Sequence, residues 1–458
     1  MKSLLHAAGL RLSRILPIFP QRRWRHKAYI LLWLGRLVFW GGAIGVGLLA
    51  VLFAKLSEFL NHQFVHAAER HGWLPLLLTP LAGALCVWIT RRYFPGAEGS
   101  GIPQALAEMQ RPADARGWKP LLSLRIIVGK ILVGASAVGC GFSLGREGPS
   151  VQVGASLMHT IHGLLPRSLR ILRNHLLVAG GAAGIAAAFN APLAGIMFAI
   201  EEMSRGVEAR MSGLIITAIV LAGVTAQSQM GNGNFFGNIL IIGSDGEQLE
   251  AVALSALVCG LAGGLFARMM ILGALAWRGR LADFRRERPI WFAAACGLLV
   301  ACLGLVTGGV IYGSGLEQTR ALLEAEGNIP WYFGPAKFVA TLMAYLSGLP
   351  GGIFAPALSI GAGLGHDLAP LLDQSAAPAM LLALCMAGFL AAVTQAPITS
   401  FVIVMEMVDG YSLVISLMAV SLLSSGLSRL ISAPLYPTLA AGLVARQTAQ
   451  AAPESRSA

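Results

Sequence analysis

The residues with the greatest chemical consequence are Gly145-Arg146-Glu147-Gly148-Pro149, because they place two charges inside an apolar stretch. The preceding segment 126–144 carries one charged residue, Lys130, and the following segment 150–158 carries none. A charge at membrane depth costs about 3 kcal/mol on the insertion scale and is functional by default. Proline suits the first turn of a helix, and glycine lets the chain bend before it. The pattern therefore predicts a helix that begins inside a membrane and directs free N–H groups at an anion.

The composition is that of an integral membrane protein. Of 458 residues, 56% are hydrophobic and 12% are charged, and the mean hydropathy is +0.69. A soluble domain would not tolerate these values. The net charge of +12 does not indicate nucleic-acid binding, because the basic residues lie in short loops and at the termini without an aromatic-rich basic face. The histidines do not cluster with carboxylates, so we expect no metal site, and no cofactor motif is convincing.

The distribution of Lys and Arg predicts the orientation, because cytoplasmic loops are enriched in these residues. Residues 1–27 and 278–288 are strongly basic, whereas 229–250 contain acids and no Lys or Arg. We therefore expect a multi-pass inner-membrane protein with both termini cytoplasmic, although the loop 163–174 fits neither side clearly. The predicted segments are a basic N-terminal segment 1–28, a first membrane repeat 29–228, an external loop 229–249, a second membrane repeat 250–445 and a short tail 446–458.

Two regions of the chain resemble each other. Asn190–Glu201 and Gln395–Glu406 both start with an amide side chain, alanine and proline, and both end with a glutamate nine residues after the proline. Their offset is 205 residues, and Pro149–Ala155 matches Pro356–Ala362 at an offset of 207. A shared offset of nearly half the chain indicates an internal duplication. The segments that flank the first half have opposite charge bias. The duplication and this bias together predict an all-α membrane protein of two inverted-topology repeats with tilted and broken helices.

Three segments share the same local pattern of glycines followed by a proline that starts a helix. They are Gly99–Pro103, Gly145–Pro149 and Gly351–Pro356. Each helix N-terminus offers about half a positive charge together with N–H donors. Such partial charges suit transport, because a dehydrated anion in contact with a full ammonium charge would be released too slowly.

On these three segments the chain resembles the CLC family of chloride channels and chloride/proton antiporters. The resemblance covers about residues 30–445 and implies transport of chloride through a midplane site, in a homodimer within a lipid bilayer. Glu147 would be the gate, whose carboxylate competes with chloride. The implied anion-binding residues are Ser100, Gly101, Ile102, Arg146, Gly148, Ile353, Phe354, Ala355 and Tyr436. The fluoride-exporting branch of the family departs at the serine and tyrosine positions, whereas this chain keeps both.

A second acid distinguishes coupled exchange from passive conduction. Proton-coupled members of the family have an internal glutamate late in the helix that begins with Asn-Ala-Pro, and Glu202 matches it beside Glu201. We therefore expect a secondary-active chloride/proton antiporter, and a passive voltage- or pH-gated chloride channel is the alternative. An intramembrane enzyme is the third class, because Gly141–Gly145 matches the G-x-S-x-G pattern. The partners of such a nucleophile are missing, so we expect no enzyme.

Each candidate residue also has a structural interpretation. Glu147 could form an ion pair with the arginine before it, and Glu202 could be a solvated acid at a helix end. Lys130 could raise the local potential for anions or pack against a counter-acid. Ser100 could cap the helix that follows it. Tyr436 lies near an expected membrane interface, where tyrosines act as anchors.

Overall fold

Helices account for nearly all regular structure in the computed structural model, which describes residues 19–112, 117–164, 173–204, 213–231, 236, 245–325, 329–372 and 378–451. Residues 1–18 of the predicted N-terminal segment, 165–172 of the loop 163–174, 232–235 and 237–244 of the loop 229–249, and 452–458 of the tail lie outside these residues. The helices of the first half are α1 (Phe19–Arg70), α2 (Leu74–Tyr93), α3 (Ile102–Met109), α4 (Leu124–Val138), α5 (Glu147–Leu164), α6 (Arg173–Phe189), α7 (Pro192–Phe198) and α8 (Gly213–Met230).

The second half repeats this alternation of long and short helices. Its helices are α9 (Asp245–Ile271), α10 (Arg280–Glu287), α11 (Pro289–Val306), α12 (Leu316–Leu323), α13 (Phe333–Leu346), α14 (Phe354–Leu368), α15 (Pro378–Thr394), α16 (Pro397–Met407), α17 (Val414–Arg429) and α18 (Leu435–Ala451). Single π-helical turns continue α7 (Ala199–Met203) and α9 (Leu272–Ala276). Short 3₁₀ turns follow α14 and precede α17.

Six of the described helices are long and apolar enough to cross a membrane. They are α1, α2, α8, α9, α11 and α17 with the 3₁₀ turn before it. The remaining apolar helices are shorter, since prolines and glycines interrupt the apolar sequence between them. Non-helical backbone at membrane depth is tolerated only where it is enclosed by protein. The predicted fold class, an all-α membrane protein with broken helices, is confirmed.

The two copies of the repeated Pro-to-Glu segment form antiparallel helices, α7 and α16, that cap each other. Glu201, in the π-helical turn after α7, accepts hydrogen bonds from the first free N–H groups of α16 at Ile398 (3.1 Å) and Thr399 (2.7 Å). Glu406, near the end of α16, accepts two such bonds of 3.0 and 2.7 Å from the first turn of α7. A carboxylate at a helix N-terminus satisfies free donors and complements the helix dipole. The hydrogen bonds that join the two halves therefore follow the internal symmetry of the chain.

A second symmetric pair consists of two fully buried lysines, Lys130 in α4 and Lys337 in α13. Lys130 donates hydrogen bonds of 2.7 and 2.6 Å to two carbonyl oxygens of the segment before α3. Lys337 donates two bonds of 2.8 Å to carbonyl oxygens of the segment before α12. The segment 313–315 also repeats the Gly-Ser-Gly sequence of 99–101. Lys130 therefore contacts carbonyl dipoles directly and interacts with Glu98 only electrostatically, and these contacts hold the loop that carries Ser100.

Candidate ion-transport site

Backbone hydrogen bonds join the loops that precede α3, α5 and α14. Gly99 accepts a hydrogen bond from Gly351 (3.1 Å) and donates one to Leu349 (3.1 Å). Gly145 and Gly352 exchange two bonds, of 2.8 and 2.7 Å. These contacts connect residues more than 200 positions apart and bring the three signature segments to one point. The three helix starts therefore converge in the structure.

Glycine is required at two places where these loops meet. Gly101 has a φ of +100°, a conformation that L side chains rarely adopt, at the residue before α3 begins. A Cβ atom on Gly148 would overlap the hydroxyl oxygen of Ser100. The absence of a side chain at Gly148 therefore lets the first turn of α5 approach Ser100 closely.

Glu147 occupies the positive ends of two helices. Its side chain is buried, with 1% of its surface exposed, although it stands in the first turn of α5. One carboxylate oxygen accepts a hydrogen bond from the backbone N–H of Ala355 in α14, at 3.4 Å. The carboxylate also faces the backbone N–H groups of Arg146 and of its own residue. A negative side chain is thus held by the donors that would otherwise bind an anion.

Ser100 and Tyr436 bring two hydroxyl groups to the same buried region. Their exposed fractions are 3% and 1%, and the two side chains lie within hydrogen-bonding proximity of each other. Among the described residues, neither oxygen has a hydrogen-bond partner of good geometry. Buried hydroxyls normally find a partner. This pair therefore fits an anion that accepts hydrogen bonds from both.

Aromatic rings fix the position of Tyr436. Its ring stacks on Phe354 at 6.0 Å with an interplanar angle of 8°. Phe354 in turn makes edge-to-face contacts with Phe189 (6.0 Å) and Phe198 (6.4 Å). Offset stacking and edge contacts are the arrangements that aromatic pairs favour. The stack joins the start of α18 to the first turn of α14, so the tyrosine hydroxyl is held beside the helix N-terminus.

The remaining predicted anion-binding residues contribute backbone groups to the helix starts, and the side chain of Arg146 points elsewhere. Ile102, Ile353 and Ala355 are fully buried and line the helix starts with their backbone. The side chain of Arg146 points to α1, where Nη1 donates to Glu58 Oε1 (2.7 Å) and to the carbonyl oxygen of Ala54 (3.2 Å). The guanidinium group is therefore tied to α1, and it also interacts electrostatically with the carboxylate of Glu147.

Glu201 and Glu202 have different surroundings despite being neighbours. Glu202 is 2% exposed, and it lies close enough to Tyr436 for an electrostatic interaction. Tyr436 also interacts electrostatically with Glu147, so both acids are near the tyrosine. The carboxylate of Glu201 instead caps α16. The π-helical turn places the two side chains in these different environments.

Two functional features were not predicted from the sequence, and one candidate motif is structural. Lys337 was not among the candidate residues, and Glu406 was identified only as the end of a repeated segment, because the contacts of both depend on the folded chain. Ser143, the serine of the G-x-S-x-G pattern, shares a 2.8 Å hydrogen bond with the hydroxyl of Thr341. Thr341 also donates to the carbonyl oxygen of Lys337, at 2.7 Å. The hydroxyl of Ser143 is thus used in a hydrogen bond with α13.

A cavity of about 760 Å³, which we call the vestibule, opens on the face of the molecule where α6 ends. Its wall includes Glu58 and His62 of α1, together with Arg146, Asn190 and Tyr312. Arg146 precedes Glu147 in sequence. The vestibule therefore reaches the residue before Glu147 from one face of the molecule.

The fold and the site define a multi-pass membrane protein with a buried carboxylate at converging helix N-termini. The model of the family described as voltage gated chloride channel matches residues 82–429, which is well over half of the chain. The chain belongs to this family.

Curated relatives and solved structures agree with this assignment. The chain is 30% identical to the H(+)/Cl(-) exchange transporter ClcA of Salmonella gallinarum over 452 residues, with 92% of each sequence covered. It is 31% identical to the transporter of the same name from Cronobacter sakazakii over 423 residues, with 88% of each covered. A slow cyanobacterial Cl⁻/H⁺ antiporter has the same fold, with a TM-score of 0.76, 24% identity and coverage of 90% of this chain and 99% of that one. A CLC-type fluoride/proton antiporter follows at a TM-score of 0.74 and 23% identity, covering 89% and 98%.

Proposed function

We propose that this protein is a secondary-active antiporter that exchanges chloride for protons. The observation that carries the proposal is the position of Tyr436, which interacts with both buried acids, Glu147 and Glu202, and faces the hydroxyl of Ser100. Groups suited to an anion and groups suited to a proton are therefore adjacent. The exchange activity named for the Salmonella and Cronobacter relatives supports the same conclusion.

The anion would be bound by neutral donors. Ser100 and Tyr436 supply two hydroxyls, and the N-termini of α5 and α14 supply N–H groups with partial positive charge. Because none of these groups carries a full charge, binding can be favourable and still reversible. The serine and tyrosine are the residues that separate the chloride-transporting pattern from the fluoride-exporting one, so we propose chloride as the substrate.

The proton would be passed between the carboxylates of Glu202 and Glu147. Glu202 would accept it on one side of Tyr436, and Glu147 would carry it on the other. When ionised, the Glu147 side chain occupies the helix N-termini and excludes the anion. When protonated, it loses its attraction for these donors and can leave the path. One group thus serves both ions, which is the physical basis for coupling.

The orientation follows from the basic residues. We propose an inner-membrane location with both termini and the arginine-rich α10 on the cytoplasmic side, and the vestibule on the outer side. All residues of the site belong to one chain, so each subunit of the proposed homodimer would hold a complete pathway. Chemical cross-linking in membranes tests the dimer, and absence of a two-subunit species would contradict it.

Reconstitution into liposomes with simultaneous chloride and pH electrodes tests the proposed exchange. An imposed chloride gradient is expected to drive protons uphill, because each turnover moves both ions through the shared gate. A passive channel is the second candidate, because the family model carries that description. Chloride flux with a reversal potential that does not depend on pH would establish the channel and exclude the antiporter.

Removal of the two hydroxyls is expected to weaken chloride binding. Loss of one buried neutral donor costs about 1–3 kcal/mol, and each 1.4 kcal/mol corresponds to about tenfold in affinity. Tyr436→Phe is the matched variant, since it keeps the stacking on Phe354 and removes only the hydroxyl. Ser100→Ala likewise removes only the hydroxyl of the other donor. Isothermal titration with chloride measures both, and unchanged affinity in both variants would exclude these hydroxyls from the site.

A further inference from the structure

Four polar side chains form a stripe on α1 that the proposed exchange does not use. They are Glu58, His62, His66 and Glu69, at intervals of four, four and three residues. Side chains three and four positions apart lie on the same face of a helix. Glu58 and His62 also line the vestibule. The stripe therefore runs from the vestibule along the exposed surface of α1.

The two histidines have the spacing along the helix of a chelating pair. Their ring centroids are 6.5 Å apart, and the ring planes are inclined by 32°. Histidines at i and i+4 on one helix face supply two of the zinc ligands in the H-E-x-x-H motif. Imidazole nitrogens are suitable ligands for Zn²⁺, Cu²⁺ and Ni²⁺. A small rotation of exposed rings is enough to direct one nitrogen of each at a shared ion.

A carboxylate stands behind one of these rings. Nδ1 of His66 lies 3.8 Å from Oε2 of Glu69, and both side chains are more than half exposed. Metal-binding histidines commonly direct their second nitrogen at a carboxylate, which fixes the ring and raises its basicity. This contact leaves Nε2 of His66 for a metal ion.

Among the described residues, no group of three or more His, Cys, Asp or Glu side chains is placed to hold a metal ion. The site is therefore a two-histidine site, and water or a third side chain completes the coordination. Glu58 is the available side chain, one helical turn from His62. Its carboxylate is 59% exposed and is paired with Nη1 of Arg146 at 2.7 Å.

This shared carboxylate connects the stripe to the gate. Arg146 holds α1 through Glu58 and through the carbonyl oxygen of Ala54, and it directly precedes Glu147. A cation bound at His62 would attract Glu58 and compete with the guanidinium group for it. Arg146 would then lose one of its two anchors on α1, next to the first turn of α5.

We propose that His62 and His66 form a binding site for a divalent transition-metal ion at the vestibule, and that its occupation slows transport through the Glu58–Arg146 pair. The binding site stands independently of the proposed exchange, whereas the effect on transport rests on it. The two parts therefore need separate experiments.

Binding is measured on the purified full-length protein after removal of any affinity tag, by calorimetry with Zn²⁺ and by electron paramagnetic resonance with Cu²⁺. The wild-type protein is expected to bind one ion with a two-nitrogen Cu²⁺ signature. His62→Ala and His66→Ala are expected to weaken binding by about tenfold or more. His71→Ala is the matched control, because this exposed histidine lies outside the stripe. Binding that is unchanged in both stripe variants, or lost in the control, would overturn the site.

The effect on transport is measured with Zn²⁺ added outside liposomes, and each variant is compared with its own metal-free rate. Zinc is expected to slow the wild type and the His71→Ala control but not His62→Ala. Glu58→Gln is expected to bind zinc and to lose most of the slowing, because its neutral side chain no longer links the ion to Arg146. If wild-type protein binds zinc and its rate is unchanged, the regulatory part is wrong and the binding site stands. If the protein conducts chloride without protons, the proposed exchange fails while the calorimetry still decides the site.

Discussion

Glu147→Gln is expected to abolish proton transport and to leave chloride flux in place. The carboxylate of Glu147 accepts a hydrogen bond from Ala355 and lies at the N-termini of α5 and α14, where we propose that it competes with the anion. Glutamine has nearly the same shape but no charge, so it resembles the protonated gate permanently. It also cannot take up or release a proton. The anion path then stays open while coupling is lost.

Chloride and pH electrodes on the same liposomes measure both fluxes of this variant. Proton flux is expected to fall by about a hundredfold or more, the smallest effect typical of removing a positioned proton-transfer group. Glu317→Gln is the matched control, because it makes the same chemical change in the first turn of α12 on an exposed side chain. A variant at Glu147 that still transports protons at the wild-type ratio would show that this residue is not the shared gate.

Glu202→Gln is expected to suppress proton transport and to preserve chloride movement. Glu202 is buried and interacts electrostatically with Tyr436, which also interacts with Glu147. A proton relay needs a titratable group at this position, whereas the anion path does not. The expected loss is again about a hundredfold in proton flux, with chloride flux within the same order of magnitude as that of the wild type.

Glu201→Gln is the matched control for this prediction, since the two glutamates are adjacent in the same π-helical turn. The carboxylate of Glu201 accepts hydrogen bonds from Ile398 and Thr399. The amide oxygen of glutamine can keep one of them, so we expect coupling close to that of the wild type. If Glu201→Gln uncouples transport and Glu202→Gln does not, the assignment of the proton acceptor is wrong by one residue. If neither uncouples it, the proton enters by another route.

The sequence alone was sufficient to predict the local features of the site. Glycine followed by proline determines where a helix can begin, so the starts of α3, α5 and α14 were predictable from rules that act over a few residues. Placing Glu147 at a helix N-terminus inside the membrane follows from the same rules and from the cost of burying charge. The repeat was also visible, because its Pro-to-Glu spacing and offset are properties of the chain itself. The roles of Ser100, Tyr436 and Glu202 came from the family resemblance, and they stay predictions until the variants are measured.

The tertiary structure decided which of these groups meet. The loops before α3, α5 and α14 are joined by backbone hydrogen bonds between glycines, and such bonds leave no side-chain pattern in a sequence. Arg146 was expected at the anion, but its guanidinium group is paired with Glu58, a residue of α1 that is 88 positions earlier in the chain. Glu201 and Glu202 are adjacent in sequence, and the packing of α7 against α16 makes Glu201 a helix cap and leaves Glu202 buried near Tyr436. Local rules determine where helices start, because they act over a few residues. Long-range contacts determine which side chains share a site, because the partners, such as Glu58 and Arg146, lie far apart in the chain.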